Sequence, residues 1–183
     1  MNPAAEHDAL ARAARVKLMI FDVDGVLTDG SLFFGAGGDA MKPFNSLDGL
    51  GIKLLHEAGI ATAIITGRQS PIVAQRAAEL KIAHLFQGAH NKSAAFAQLC
   101  AQLDIAPDLC GYMGDDWPDL PVMQQCGFAA APVNAHAEVI ARAHWTSRAQ
   151  GGHGAVREVC DLLLRAQHRY DAMLAMTCGA RRA

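Results

Sequence analysis

No run of apolar residues in this 183-residue chain is long enough to cross a bilayer, although 51% of the residues are hydrophobic. The start is polar and alanine-rich and lacks the apolar core of a secretory signal, so a cytoplasmic protein with no membrane partner is expected. Charge of one sign is also missing. The 16 Lys+Arg and 18 Asp+Glu leave a net charge of −2, which gives no electrostatic case for binding nucleic acid. Cysteines are sparse and follow no pairing pattern: Cys100, Cys110, Cys126, Cys160 and Cys178 are odd in number, widely spaced and free of Cys-x-x-Cys. They read as reduced thiols that mostly fill core. The eight histidines include no His-x-x-x-His, which argues against a histidine-based zinc site. Repeats and low-complexity segments are absent too. What remains is the length of one domain, enough to bury roughly 70% of its unfolded surface.

Within that length, short apolar runs alternate with helix-like segments, the pattern of a doubly wound, mainly parallel α/β sheet. Residues 1–15 read as an N-terminal helical extension, 16–167 as the main domain and 168–183 as the end of the last helix and a tail. Val16–Phe21 reads as a buried strand with Lys17 as its one charge. Ser31–Asn45 reads as a short hairpin, with Leu32, Phe33 and Phe34 in one arm, Gly35–Asp39 as the turn and Ala40–Phe44 in the other arm. A helix is expected over Leu47–Ala58, with Ser46 or Asp48 near its start, a stripe of Leu50, Leu54 and Leu55, and Gly59 as its stop. Further strands are predicted at Ile60–Ile65, Ile82–Phe86, Cys110–Met113 and Phe128–Ala131. Helices are predicted from Ser70-Pro71, from Asn91-Lys92, over Leu120–Gln125 and Val139–Ala143, and along the amphipathic stretch after Gly154. Gly151-Gly152-His153-Gly154 reads as a flexible hinge.

The chemistry is concentrated where the apolar runs stop. Asp22 and Asp24 follow the first run and Thr66 with Arg68 follows the second. Lys92 opens a helix, and Asp115, Asp116 and Asp119 follow the run that ends at Met113. An Asp-x-Asp pair after an apolar run is by itself only a strand-ending turn. In open α/β sheets, however, ligands sit beyond the carboxyl ends of the strands, so these groups would converge. Clustered carboxylates need a cation between them, and hard oxygen donors favour Mg²⁺. A threonine hydroxyl and a lysine ammonium are the donors that a phosphoryl group needs on its other side.

These motifs carry a resemblance. Asp22-Val23-Asp24-Gly25, Thr66-Gly67-Arg68, Lys92 and Gly114-Asp115-Asp116-x-x-Asp119 match the four motifs of the haloacid dehalogenase-like phosphatases. Within that superfamily the chain is similar to the 3-deoxy-D-manno-octulosonate 8-phosphate (KDO 8-phosphate) phosphatases of lipopolysaccharide synthesis. FDVDGVLTDG, FNSLDGLGIKLL, IITGR, GDDWPDLPVM and GGHGAVREVCDLLL carry that likeness between about Val16 and Gln167. The resemblance implies Asp22 as nucleophile, Asp24 as general acid and base, and Thr66 and Lys92 as stabilisers of the transferring phosphoryl group. It also implies Mg²⁺ held by the Asp22 carboxylate, the Asp24 carbonyl and the Asp115 carboxylate. Asp119 would orient Lys92 or a metal-bound water, and Asp116 would either do the same or cap the next helix.

The insertions between motifs hold only the hairpin and one helix with a short strand, so no cap domain is expected. Capless members of the resembled family form homotetramers in which a neighbour closes each site, and the aromatic hairpin fits that arrangement. The resemblance further implies a substrate pocket lined by Asp24, Asn45, Ser46, Leu47, Asp48, Gly49, Lys53, Arg68, Arg76 and Lys92, suited to a small sugar-acid phosphate. Two positions depart from the pattern: Leu47 stands where many relatives have arginine, and Lys53 where arginine is frequent. Arg148–Gly154 is expected to order over a site as a mobile closure. Alternatives are a phosphatase for a related nonulosonate 9-phosphate or for sugar phosphates broadly, and a non-catalytic module that kept the fold.

Overall fold

The computed structural model describes residues 3–179; residues 1–2 of the expected extension and 180–183 of the expected tail lie outside them. A six-stranded sheet in the order β5-β4-β1-β6-β7-β8 forms the middle layer, and every neighbouring pair is parallel. Its strands are β1 (Leu18–Phe21), β4 (Ala61–Ile65), β5 (His84–Phe86), β6 (Cys110–Met113), β7 (Phe128–Ala131) and β8 (Trp145–Thr146). The hairpin pairs β2 (Phe33–Gly35) with β3 (Gly38–Met41) as a separate two-stranded sheet. Among the described residues it is the insert after the first motif, and no cap domain is built.

Side-chain alternation along β1 divides the core. Met19 and Phe21 face a layer with α1 (Pro3–Ala13), α2 (Ser46–Glu57), α3 (Pro71–Glu79), α7 (Ala155–Ala166) and α8 (Tyr170–Thr177). Leu18 and Ile20 face the other layer, with α4 (Lys92–Leu103), α5 (Leu120–Met123) and α6 (Ala137–Ile140). Period-two alternation in a strand buried on both faces requires apolar residues at every position, which β1 has. From β1 the chain first builds β4 and β5 on one side, then β6, β7 and β8 on the other. The order therefore reverses at β1, and its carboxyl end is the switch point at which such sheets bind ligands.

Several local expectations change. Helix α2 begins at Ser46 with Asp48 in its first turn, one residue earlier than expected, and its N-cap is Asn45, whose side chain accepts from the Leu47 amide at 2.8 Å. The buried face of α2 is Asp48, Gly49, Gly51, Ile52 and Leu55, while Leu50 is exposed, because the helix packs broadside on α7. Gly59 does stop the helix, at φ +76°. The hairpin turn is tighter than Gly35–Asp39, since Gly35 pairs with Gly38. β8, with only two residues, and the separate helix α8 carry no clear pattern in sequence. Four of the five cysteines are buried and all five are free; Cys178 is exposed.

Gly151 and Gly152 are not a free hinge. The Gly151 amide donates to Asn134 Oδ1 at 3.0 Å and the Gly152 amide to the Val26 carbonyl at 2.9 Å. A Cβ on Gly151 would overlap the Gly25 carbonyl, and one on Gly152, at φ +70°, would overlap the backbone of Thr28 and Asp29. The glycines are there because this segment lies directly on the loop that follows β1.

Candidate active site

Beyond Phe21 the backbone makes one wide turn over 22–28, closed by the Thr28 amide donating to the Val23 carbonyl at 3.0 Å. Gly25 sits at φ +89°, and a Cβ there would run into the Asp115 carboxylate. Only glycine lets the loops after β1 and β6 approach this closely. The result is an open cleft of about 340 Å³ lined by Asp22, Asp24, Thr66, Gly67, Arg68, Lys92, Asp115, Asp116, Pro118 and Asp119. The strand-end residues singled out in sequence thus share one cleft.

Asp22, Asp115 and Asp119 each place a carboxylate oxygen within 4.8 Å of the others. They are not equivalent. Both Asp119 oxygens are occupied: Oδ1 accepts from Lys92 Nζ and from the Tyr112 hydroxyl, each at 2.6 Å. Oδ2 accepts from the amides of Asp115 at 3.0 Å and Asp116 at 3.2 Å. Asp119 is therefore a brace for the lysine and for the loop that carries Asp115. Asp22 keeps one oxygen free. Its Oδ2 lies 2.8 Å from Lys92 Nζ, while Oδ1 is buried without a partner. An orphaned buried carboxylate oxygen facing a second carboxylate is an arrangement that a divalent cation satisfies.

The electrostatics agree. Burial, then the charge of Asp119, pushes the Asp22 carboxyl up to about 7, with Lys92 pulling the other way. Burial, then Asp22 and Asp119, pushes Asp115 up to about 8. Burial works against the Lys92 charge, but Asp22 and Asp119 outweigh it and raise its pKa above the usual lysine value. Two carboxyls held near-neutral by mutual repulsion and desolvation mark a functional cleft, because a bound cation would reverse both effects.

Asp116 caps the turn after β6, accepting from the Trp117 amide at 2.8 Å, and is exposed at the rim. Thr66 is buried at the end of β4, and its amide donates to the Phe86 carbonyl at 2.9 Å. Arg68 leans over Phe34 of the hairpin, 5.4 Å from the ring centroid, with Nη2 on Asp39 Oδ1 at 2.9 Å. Two residues of the site, Lys42 and Asp39, escaped the sequence reading. Lys42 donates to the Asp24 carboxylate from within the hairpin. A charged residue in a hairpin arm resembles the solvated charges that protect sheet edges, so composition gave no signal.

The remaining substrate-set residues are placed elsewhere in this chain. Asp48 is buried, its Oδ1 accepts from the Arg157 amide at 2.7 Å, and it thereby caps the start of α7. Asn45 caps α2 and reaches the Gly152 carbonyl at 3.3 Å. Ser46 and Arg76 line a second cavity with Phe44, and the Arg76 guanidinium lies 5.6 Å from that ring centroid and 2.8 Å from Glu79. Gly49 makes room for Arg76, while Leu47 and Lys53 are exposed on α2. Of the set, only Asp24, Arg68 and Lys92 line the carboxylate cleft.

A carboxylate cleft at the switch point of a parallel sheet, with a lysine braced between two aspartates, is the arrangement of a haloacid dehalogenase-like hydrolase, and the model of that family matches residues 79–158. Over 164 residues the chain is 48% identical to the 3-deoxy-D-manno-octulosonate 8-phosphate phosphatase KdsC of Escherichia coli K12, covering 90% of this chain and 87% of that protein. The crystal structure of the 3-deoxy-D-manno-octulosonate 8-phosphate phosphatase of Moraxella catarrhalis, in complex with magnesium, phosphate and KDO, superposes with a TM-score of 0.91 at 40% identity, covering 93% of this chain and 98% of that one. The cobalt-bound phosphatase of Haemophilus influenzae gives a TM-score of 0.89 at 38% identity, covering 93% and 99%. The chain belongs to the KDO 8-phosphate phosphatase family of haloacid dehalogenase-like hydrolases.

Proposed function

We propose that this chain is a Mg²⁺-dependent phosphomonoesterase that hydrolyses KDO 8-phosphate to the sugar acid and inorganic phosphate. The observation that carries the reading is Asp22 itself: Lys92 fixes one carboxylate oxygen while the other is buried and unengaged in a residue that lines the cleft. Asp22 attacks phosphorus, the bond from phosphorus to the sugar oxygen breaks, and an aspartyl-phosphate forms. Asp24 gives its proton to the departing sugar oxygen, then takes one from the water that releases phosphate and restores Asp22. The Thr66 hydroxyl and the Lys92 ammonium donate to the phosphoryl oxygens as charge builds on them. Asp22, the Asp24 carbonyl and Asp115 would hold Mg²⁺, which when bound neutralises charge on the phosphoryl group. Asp119 keeps Lys92 aimed, and Asp116 caps the loop.

Arg68 is the cleft's candidate partner for the substrate carboxylate. Asn45, Ser46, Leu47, Lys53 and Arg76, which lie outside the cleft, would act from a neighbouring subunit in a homotetramer, with the buried Asp48 and Gly49 supporting them from within the fold. Exposed apolar side chains on the hairpin support that assembly: Leu32, Phe33, Phe34 and Met41 are 45%, 42%, 66% and 56% exposed. Among the described residues no helix is long and apolar enough to cross a membrane, which suits a cytoplasmic enzyme. Phosphate release from KDO 8-phosphate and from neutral hexose phosphates, with Mg²⁺ and with chelator, tests the reading. KDO 8-phosphate should win by at least about tenfold, roughly 1.4 kcal/mol of transition-state discrimination, and only with Mg²⁺. Equal rates on both classes would leave a general phosphatase.

A further inference from the structure

The mechanism leaves unused a group of charges that the hairpin brings to Asp24. Lys42 follows β3 with its side chain only 2% exposed, and its ammonium donates to Asp24 Oδ1. Asp39 Oδ2 lies 3.5 Å from the same ammonium. Asp39 Oδ1 in turn holds Arg68 Nη2 at 2.9 Å, and Arg68 Nε comes back to within 3.8 Å of Asp24 Oδ2. Positive and negative groups alternate around this ring. An ammonium taken out of water costs several kcal/mol unless it is paired, so a lysine this buried is confined to its two carboxylates. By the same contacts it confines them.

We propose that Lys42 is a positioning residue for the acid/base carboxylate: it engages Oδ1, sets the plane of the Asp24 side chain, and leaves Oδ2 as the oxygen presented to the leaving group. The inference rests on the phosphomonoesterase reading and on the part Asp24 takes in it. Rotation about the last side-chain bond of an aspartate is soft and broad, whereas proton transfer needs the donor oxygen within about 2.6–3.2 Å of its target. A tether on one oxygen removes that freedom. Arg68 does not supply it, being 40% exposed and at 3.8 Å. Lys42 is not among the residues lining the cleft, so it acts on the reaction through its partners: Asp24 directly, and Arg68 by way of Asp39, a route that would show in KM rather than in the leaving-group step. Because Asp39 and Lys42 both belong to the hairpin region, any displacement of the hairpin is passed directly to the proton donor.

The test replaces Lys42 by Met, which keeps the length and removes the charge. Single-turnover phosphorylation is followed with KDO 8-phosphate, whose alkoxide must be protonated to leave, and with p-nitrophenyl phosphate, whose nitrophenolate leaves unaided. A misplaced donor lowers the first rate by about 10²-fold with KM little changed, and leaves the second within about threefold. Equal losses on both substrates, or no loss on either, overturn the proposal. A second arm repeats Lys42→Met in an Asp24→Asn background, where it should cost nothing further; an undiminished extra loss shows that Lys42 acts independently of Asp24 and also overturns it. If Lys42→Met does not fold, Lys42→Gln, which keeps a donor toward Asp24, is read the same way and should retain more alkyl-phosphate activity than Lys42→Ala. Failure of the underlying reading has a different signature: Asp24→Asn alone would hydrolyse KDO 8-phosphate at the unmodified rate.

Discussion

Lys92 Nζ lies 2.6 Å from Asp119 Oδ1 and 2.8 Å from Asp22 Oδ2, so the lysine of the cleft is held between Asp22 and a carboxylate that is wholly occupied. Removing Asp119 would strand several groups at once: Lys92, the Tyr112 hydroxyl and the amides of Asp115 and Asp116. Breaking a buried ion pair from one side costs about 3–5 kcal/mol. Asp119→Ala should therefore lower the unfolding free energy by an amount in that range, read as a lower denaturant midpoint, and cut turnover by more than an order of magnitude. An unchanged midpoint would show that the brace is not structural.

Removal of metal should expose the strain between the carboxylates. In the fold Asp22 titrates at about 7 and Asp115 at about 8, against an ordinary 3.8. Between those values the native state holds more protons than the unfolded chain, so the metal-free protein loses stability as pH rises through the window. Below about pH 4 both states are protonated and the penalty is gone. Burial lowers the pKa of His56 and His144, and these act in the opposite sense below about pH 6.5. The clean comparison thus runs from about pH 6.5 to about pH 8.5. In chelator the melting temperature should fall across it, and Mg²⁺ should restore more stability at the upper end, because the ion binds the deprotonated carboxylates. A Mg²⁺ effect independent of pH would contradict the assignment of Asp22 and Asp115 as its ligands.

Much of this site was legible because its signals are local. The runs ending at Phe21, Ile65 and Met113 are apolar enough to be buried strands, and the polar residues just beyond them fall at one edge once the strands are parallel. What escaped depends on partners far away in sequence. The contact of Asp48 Oδ1 with the amide of Arg157, 109 positions later, left no trace in sequence. Lys42 gave no signal because Asp24 and Asp39 reach it only through tertiary structure. β8 is too short for any periodicity to show, and Leu50 faced outward because α7 chose which side of α2 to cover.

The glycine segment is the sharpest case, and it yields a prediction opposite to that of a flexible closure. A hinge would tolerate alanine with some loss of motion. The packed segment has no space for a Cβ at Gly151, which abuts the carbonyl of Gly25 next to Asp24. Overpacking of this kind costs about 1–3 kcal/mol. Gly151→Ala should lower the midpoint accordingly and reduce turnover by shifting the loop that carries Asp22 and Asp24, whereas alanine at the open Gly37 position should do neither. Equal behaviour of the two variants would restore the hinge interpretation.

The exposed hairpin leads to the last expectation. Leu32, Phe33 and Met41 present apolar surface, and among the described residues no cap domain covers the cleft. Phe34 also contacts Arg68, so altering it would disturb the cleft directly; Leu32 and Phe33 are the cleaner probes. If hairpins pack together in a tetramer, Leu32→Asp with Phe33→Asp places charge in that contact and desolvates it at a cost of several kcal/mol per buried ion. Light scattering should show the native mass falling from tetramer to smaller species. The dissociated protein should lose activity on KDO 8-phosphate more than on p-nitrophenyl phosphate, since a small aryl ester gains little from a neighbour's residues over the site. A wild-type protein that is monomeric at working concentration, or a double variant of unchanged mass, would remove the hairpin from assembly and leave Asn45, Ser46, Leu47, Lys53 and Arg76 without a route to the substrate.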